Sequence, residues 1–243
     1  MAKISSSVKS KQNDLCKISN SLIEGFIKKG NLTAFKILFY IAKSDISVQS
    51  DVMLLKIDTK KLCEFCEIDL KTLKRNTKQM TEMSLSIIDD KSESFITVLP
   101  YAKFNYNGTF EIKMFKEILD LIKATKNQFT IIEASKVVKL GSAHSVKMLM
   151  LLEYIKGFSE NVAKRKYYSL DEMNAMFGTK YKRMSHFEAE VLKKVKSELD
   201  HNSKFTFDYE LFYDKPTATA GRPSAVGVTI DLIMRNDYQP VLF

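Results

Sequence analysis

The sequence predicts a mainly α-helical α+β fold with small β-hairpins, in which one structural unit occurs twice. Three observations indicate this. Apolar residues in LTAFKILFYIAKS (32–44) recur with the period of a helix. Asn107-Gly108 separates two strand-like runs, which is a strong hairpin signal. The segment starting at Lys36 also aligns without a gap, up to residue 68, with the segment starting at Lys147. Self-similarity at a fixed offset indicates a repeated unit.

The elements of the first unit follow from local signals. Asp58 or Thr59 can cap a helix that runs to about Cys66, and Asp69 can cap the next helix. The predicted elements are, in order, a loose arm at 1–20, a helix at 32–44, the strand MLLKID at 53–58, the two capped helices, and the strand-like runs LSIID, SFITVLPYAKFNY and TFEIKM. The order helix, strand, helix, helix, hairpin is that of a winged helix, a helix-turn-helix fold with a β-hairpin appended.

The second unit repeats this order. KILFYIAKS at 36 lies over KMLMLLEYI at 147, and the capping position Asp58 lies over Ser169. After residue 178 come a third helix, the run KFTFDYELFYD, a loop broken by Pro and Gly, and the run AVGVTIDLIM. We therefore expect two winged-helix domains in tandem.

The third helix of the second unit, within KYKRMSHFEAEVLKKVKSELD (180–200), has two different faces. We expect Ser185 and Glu188 to form a capping box at its start. Phe187, Val191, Leu192, Val195 and Leu199 form the apolar face. The other face offers hydrogen-bond donors for DNA at Lys182, Ser185, His186, Lys193 and Lys196, around the small residue Ala189. The alternative is an ordinary surface helix with a solvated charged face, which Glu188 and Glu190 fit.

Two further regions are candidates for DNA contact. The hairpin loop DKPTATAGRPSA (214–225) would be the wing, and its cations are Lys215 and Arg222. An arginine there can reach a phosphate or a minor groove, although a flexible loop with a stray arginine is the alternative. The third helix of the first unit is expected to bury Leu70, Leu73, Thr77 and Met80. It exposes Lys71, Arg75, Lys78 and Gln79, a face that could bind DNA backbone or simply be solvated.

Composition excludes several classes of protein. A formal net charge of +9 and a pI near 9.2 suggest a polyanionic partner such as nucleic acid, or merely a basic soluble protein. No apolar run is long enough for a membrane span and the N-terminus lacks a signal-peptide core, so a cytoplasmic location is expected. There is no phosphate-binding loop, no His-x-His pair and no second cysteine pair beside Cys63 and Cys66. We therefore expect no cofactor, no metal and no enzyme activity.

Several stretches resemble the replication initiators of iteron-type plasmids. These stretches are NSLIEGFIKKGNLTAFKILFYIAKSDI, YNGTFEIKMFKEILDLI, FTIIEASKVVKLGSAHSVKMLMLLEYI, FEAEVLKKVKSELDHNSKFTFDYE and AGRPSAVGVTIDL. The resemblance runs from about Asn20 to Asn236 and implies two tandem winged-helix domains. It implies a protein that binds direct repeats at a plasmid origin, opens adjacent AT-rich DNA and recruits host replication proteins such as the helicase.

The resemblance also assigns roles to the parts of the chain. It implies a first domain at 21–135 for dimerisation and backbone contact, a second domain at 136–236 that recognises the repeat through residues 182–196, and a tail at 237–243. It implies that monomers act on the repeats and that dimers can repress the initiator's own gene. Arginines are common in such recognition helices, but here Arg183 is the available one, so we expect an AT-rich repeat.

The sequence leaves two alternative functions to consider and one motif at the C-terminal end. A winged-helix transcription repressor is the main alternative, and a single palindrome beside the gene would favour it. A nuclease is disfavoured because no defensible acidic metal cluster is found.

The C-terminal QPVLF (239–243) resembles the short peptide by which bacterial proteins bind the sliding clamp, with Gln239, Leu242 and Phe243 as contacts. Packing of Leu242 and Phe243 on their own domain is the alternative.

Overall fold

The chain divides between Lys139 and Leu140 into two units, each with its own core. The computed structural model describes residues 14–44, 46, 50–88, 93–123, 129–157, 164–214 and 223–235. The expected division at 135/136 falls inside a short helix, Ala134–Val138, which packs on the central helix of the first unit. Among the described residues, no helix is both long enough and apolar enough to cross a membrane.

The first unit is arranged around one buried helix, α2. Its side chains Phe35, Ile37, Leu38 and Phe39 are almost completely buried, and the Asn31 side chain caps its first turn. Helices α3, α4, α5 and α6 pack against it. The elements of this unit are β1 Leu15–Ser19, α1 Asn20–Lys29, α2 Leu32–Lys43, β2 Val52–Asp58, α3 Thr59–Cys66, α4 Leu70–Thr81, β3 Ser84–Ile88, β4 Glu93–Thr97, β5 Tyr101–Phe104, β6 Thr109–Phe115, α5 Lys116–Ile122, β7 Phe129–Glu133 and α6 Ala134–Val138.

The predicted hairpin of the first unit is confirmed. Strands β5 and β6 are antiparallel and form a three-stranded sheet in the order β2-β6-β5. Gly108 has φ +84°, a left-handed conformation that glycine adopts without steric cost. Phe110, Ile112 and Met114 of β6 alternate toward the core, so the register of the sheet is set by burial.

Two expectations for the first unit were wrong. Residues 15–20 are not part of a loose arm, because β1 pairs with β7 and buries Cys16 and Ile18. The run SFITVLPYAKFNY is not one continuous strand. It is interrupted at 98–100, and β4 pairs with β3 in a separate hairpin while β5 joins the three-stranded sheet. The break falls at Pro100, which has no backbone N–H to donate to a strand ladder, and the two preceding residues Val98 and Leu99 are both buried.

The second unit has the same plan. Helix α7 is buried from Ser145 to Glu153, so it is the central helix. Strands β8, β10 and β9 form an antiparallel sheet in that order, with β9 at its edge. The elements are α7 Ala143–Lys156, β8 Arg165–Ser169, α8 Leu170–Phe177, α9 Met184–Phe187, a π-helical segment Glu188–Leu192, α10 Lys193–Asn202, β9 Phe205–Tyr213 and β10 Ala225–Met234.

The internal repeat extends to details of hydrogen bonding. The predicted caps Asp58 and Ser169 both accept bonds from the first turns of α3 and α8. Residues Glu67 and Gly178 end these helices with φ of 53° and 68°. The buried ammonium of Lys36 donates to the Cys66 carbonyl at 3.0 Å, and that of Lys147 donates to the Phe177 carbonyl at 3.1 Å. Each pair is related by the same offset of 111 residues. The helix-turn-helix geometry is therefore built the same way twice.

Candidate nucleic-acid interface

The third helix of the second unit is continuous over 184–202 and joins α9, the π-helical segment and α10. Its predicted apolar face is confirmed, since Phe187, Val191, Leu192, Val195 and Leu199 are each at most 2% exposed. This face packs on α7 and β9. Phe187 and Leu192 lie five residues apart, which is the spacing of the i→i+5 hydrogen bond of a π-helix. The π-helical segment thus lets both of these side chains enter the core.

The start of this helix differs from the prediction. Ser185 and Glu188 do not form a capping box, because the N-cap residue is Arg183 and no side chain caps the turn. The Glu188 carboxylate instead accepts a hydrogen bond from the Tyr209 hydroxyl at 3.0 Å and pairs with Lys193 at 3.3 Å. Burial, with a smaller contribution from Glu188, raises the pKa of Tyr209 to about 12. Glu188 contacts Tyr209 rather than the start of its own helix because β9 lies beside the helix. The position of β9 cannot be read from the spacing of Ser185 and Glu188.

The lysines in the second half of the helix are paired. Lys196 donates to the backbone carbonyl of Phe207 at 2.8 Å and lies 3.0 Å from the Asp208 carboxylate. Lys193 pairs with Glu188, and Lys194 pairs with Glu190 at 2.6 Å. The Lys196 ammonium therefore connects the helix to β9, and it is not a freely projecting donor as the sequence suggested.

The N-terminal end of the helix presents the remaining predicted residues to solvent. Lys182, Arg183, Ser185, His186 and Ala189 are all exposed. Within the part of the chain that the structure describes, neither Lys182 nor Arg183 has an ion-pair partner. In helix-turn-helix proteins this end of the recognition helix contacts base edges. The exposed hydrogen-bond donors of this helix therefore lie at the end that would contact base edges.

The turn before this helix is held by half-buried polar groups and by one buried lysine. The Asn174 side chain accepts from the Tyr181 backbone N–H at 3.0 Å and from the Thr179 hydroxyl, and donates to the Tyr181 carbonyl. The ammonium of Lys147 satisfies the last carbonyl of α8. Burial lowers the pKa of Lys147 to about 8. Sequence reasoning missed Lys147 and Lys36, although their matching positions in the repeat were a usable signal.

The third helix of the first unit, α4, has a different charge pattern. Lys71, Lys74, Arg75 and Lys78 are exposed at spacings that place them along one side of the helix. Residues 70–81 contain no acidic side chain. The predicted buried face is confirmed at Leu73, Thr77 and Met80, but Leu70 is 44% exposed. Lys74, which the sequence reasoning did not select, completes this row of cations.

Some predicted contact residues cannot be placed. Lys215 and Arg222 of the wing loop, and Gln239, Leu242 and Phe243 of the tail, lie outside the described residues. The strands on either side of the wing loop are described, and the Asp214 N–H donates to the Ser224 carbonyl at 3.2 Å. The hairpin that would present the wing is therefore formed up to these residues.

Two helix-turn-helix units, each followed by an antiparallel hairpin, define a tandem winged-helix protein. Family models support this class in both halves: one described as "Initiator Replication protein, WH1" matches residues 12–153, and one described as "Initiator Rep protein, WH2" matches residues 169–229. The chain therefore belongs to the initiator replication protein family. The resemblance noted from the sequence is confirmed, and the chain is a DNA-binding initiator of plasmid replication. A repressor without an initiator role is not favoured.

A solved structure has the same fold. The crystal structure of the Pi initiator protein in complex with iteron DNA superimposes with a TM-score of 0.68 and 15% sequence identity, covering 93% of this chain and 100% of that one. Comparison with curated proteins gives no match.

Proposed function

We propose that this initiator binds direct repeats at a plasmid origin through the N-terminal end of the 184–202 helix. The observation that carries the proposal is the group of exposed donors there, at Lys182, Arg183, Ser185 and His186, beside the small residue Ala189. The Pi initiator, which shares this fold, is bound to iteron DNA in its crystal structure. Lysine and arginine side chains contact phosphates and base edges, and a small residue permits close approach.

The first unit contributes affinity that does not depend on sequence. The exposed cations Lys71, Arg75 and Lys78 of α4 lie on a helix without carboxylates, so they can neutralise phosphates without first breaking an intrahelical ion pair. The wing residues Lys215 and Arg222 would add contacts to phosphate or to a minor groove. Opening of an adjacent AT-rich tract would follow binding of several copies to the repeats.

The base composition of the repeat follows from the available side chains. Arginine is the residue best suited to bidentate contact with guanine, and the recognition helix offers Arg183 at its N-cap position. Serine and lysine contacts are less selective for guanine. An AT-rich repeat is therefore proposed.

The remaining proposals concern partners and location. We propose a homodimer formed through the first unit, with monomers acting on the repeats, and recruitment of the host helicase. We also propose that Gln239, Leu242 and Phe243 bind the sliding clamp, because their pattern matches that of clamp-binding peptides. The protein is proposed to act in the cytoplasm without a cofactor, a metal or a membrane.

Footprinting on the DNA beside the gene tests this function. Tandem direct repeats, each protected by the wild-type protein, are expected next to an AT-rich tract. The double variant Lys182→Ala/Arg183→Ala should lose this protection and still fold, because both side chains are exposed. Lys116→Ala, which removes a cation from α5, is the matched control and should bind like wild type. Protection of a single palindrome and no direct repeats would instead assign the protein to repression alone.

A further inference from the structure

Glu190 is an acidic side chain on the exposed face of the recognition helix. It is the seventh residue counted from Met184, and it lies in the π-helical segment beside exposed Ala189, whereas Val191 and Leu192 are buried. Its side chain is 53% exposed, and its carboxylate accepts a hydrogen bond from Lys194 at 2.6 Å. This position is in the half of the helix that approaches base edges in helix-turn-helix proteins.

The other carboxylates of this helix contact other elements of their own unit. Glu188 accepts from Tyr209, Glu198 accepts from the Gly141 N–H and the Ser145 hydroxyl, and Asp200 accepts from Thr206. Glu190 differs, because its partner among the described residues is a lysine 67% exposed, four residues further along the same helix. Exposed pairs of this kind contribute little to stability. The stability of the folded unit therefore does not require a carboxylate at position 190.

DNA binding makes the same carboxylate costly unless it has a specific partner. The corresponding helix of the first unit, α4, has no acidic residue between Leu70 and Thr81. The hydrogen bond from Lys194 lowers the pKa of Glu190, so the group is ionised at neutral pH and repels phosphates. In the major groove, glutamate can accept a hydrogen bond from the N4 amino group of cytosine, and this contact offsets the repulsion.

We propose that Glu190 determines specificity by accepting a hydrogen bond from a cytosine amino group within the repeat, while it weakens binding to unrelated DNA. This inference rests on the proposed function, because it needs the 184–202 helix in the major groove. The carboxylate repels the phosphates and the acceptor groups of other base edges. It therefore lowers the affinity for unrelated sequences more than the affinity for the repeat, as repulsive elements do in other specific interfaces. Glu190 would thus set selectivity, while the cations supply affinity.

The test uses a duplex that the wild-type protein selects from a random-sequence pool. All single-base-pair substitutions of that duplex are then titrated with wild type, Glu190→Ala and Glu190→Gln. Glu190→Ala should bind unrelated duplex several-fold more tightly and lose about tenfold preference for C·G at one base pair. Glu190→Gln should shift that preference toward A·T, because glutamine pairs with adenine through one donor and one acceptor. Both variants should fold, since the side chain is exposed.

Two controls separate the role of the carboxylate from effects of charge. Asp120→Ala removes an acidic residue from another i,i+4 pair, Lys116–Asp120 on α5, and should leave selectivity unchanged. The double variant Glu190→Ala/Lys194→Ala should keep the relaxed preference. Restored C·G preference in that double variant, or unchanged selectivity in both single variants, would overturn the inference. If the wild-type protein enriched no sequence from the pool, the proposed function itself would fail, and the two failures are therefore distinguishable.

Discussion

Replacing Lys196 by methionine distinguishes a residue that positions the recognition helix from one that touches DNA. Lys196 is 30% exposed, donates to the Phe207 carbonyl at 2.8 Å and pairs with Asp208 at 3.0 Å. Phe207 and Asp208 lie on β9, the edge strand that leads into the wing. Methionine keeps the unbranched stem and its packing, and it removes the charge and the donor.

The expected loss of stability can be worked from these contacts. Loss of a charged donor from a partly buried carbonyl costs about 1–2 kcal/mol, and the pair with the mostly exposed Asp208 adds at most about 1 kcal/mol. The second unit should therefore be destabilised by about 1–3 kcal/mol. For a domain of about 100 residues each kcal/mol lowers the melting temperature by roughly 4–8 °C.

Binding measured at several salt concentrations completes the experiment. A lysine that contacts a phosphate contributes about 0.9 to the slope of log affinity against log salt. Lys196→Met should weaken binding with an unchanged slope, because no phosphate contact is removed. Lys182→Met, at an exposed cation, is the control and should keep wild-type stability with a shallower slope. A Lys196→Met variant with wild-type stability and a slope reduced by about 0.9 would refute the reasoning.

Three further predictions concern other parts of the chain. The double variant Lys71→Ala/Arg75→Ala should make the salt slope shallower by about 1.8 without changing sequence preference, and an unchanged slope would exclude α4 from the interface. Burial raises the pKa of the Cys66 thiol to about 12. Its protonated native form therefore stabilises the fold fully below about pH 9, the ordinary pKa of a free thiol, and this contribution is lost as the pH rises toward 12. In urea unfolding, Cys66→Ala should have a lower free energy of unfolding than wild type at pH 7.5. Its free energy of unfolding should then fall less steeply than that of wild type as the pH rises to 10, and parallel pH curves for the two proteins would contradict this. Deletion of residues 239–243 should abolish capture on immobilised sliding clamp and leave repeat binding and melting temperature unchanged. A lower melting temperature of the truncated protein would instead indicate that these residues pack on their own domain.

Local sequence signals predicted most of the fold. The helix at 32–44, the caps Asp58, Asp69 and Ser169, and the turn at Gly108 all depend on residues within a few positions of one another. The offset between the two halves predicted the second unit, because equal sequence spacing reproduces the same caps and turns. The apolar face of the 184–202 helix was also predictable, since helical periodicity alone defines which side is buried.

The tertiary structure decided which polar groups remain available for DNA. The capping box at Ser185 was a reasonable local pattern, yet Glu188 contacts Tyr209, which is 21 residues away along the chain. Lys193 and Lys196 look alike in the sequence, but β9 supplies the Phe207 carbonyl and Asp208 to Lys196 alone among the described lysines of this helix. Helix periodicity is set by the backbone and by burial, so it is visible in the sequence. Hydrogen bonds and ion pairs of surface side chains depend on which distant element lies within about 3 Å, and only the folded chain determines that.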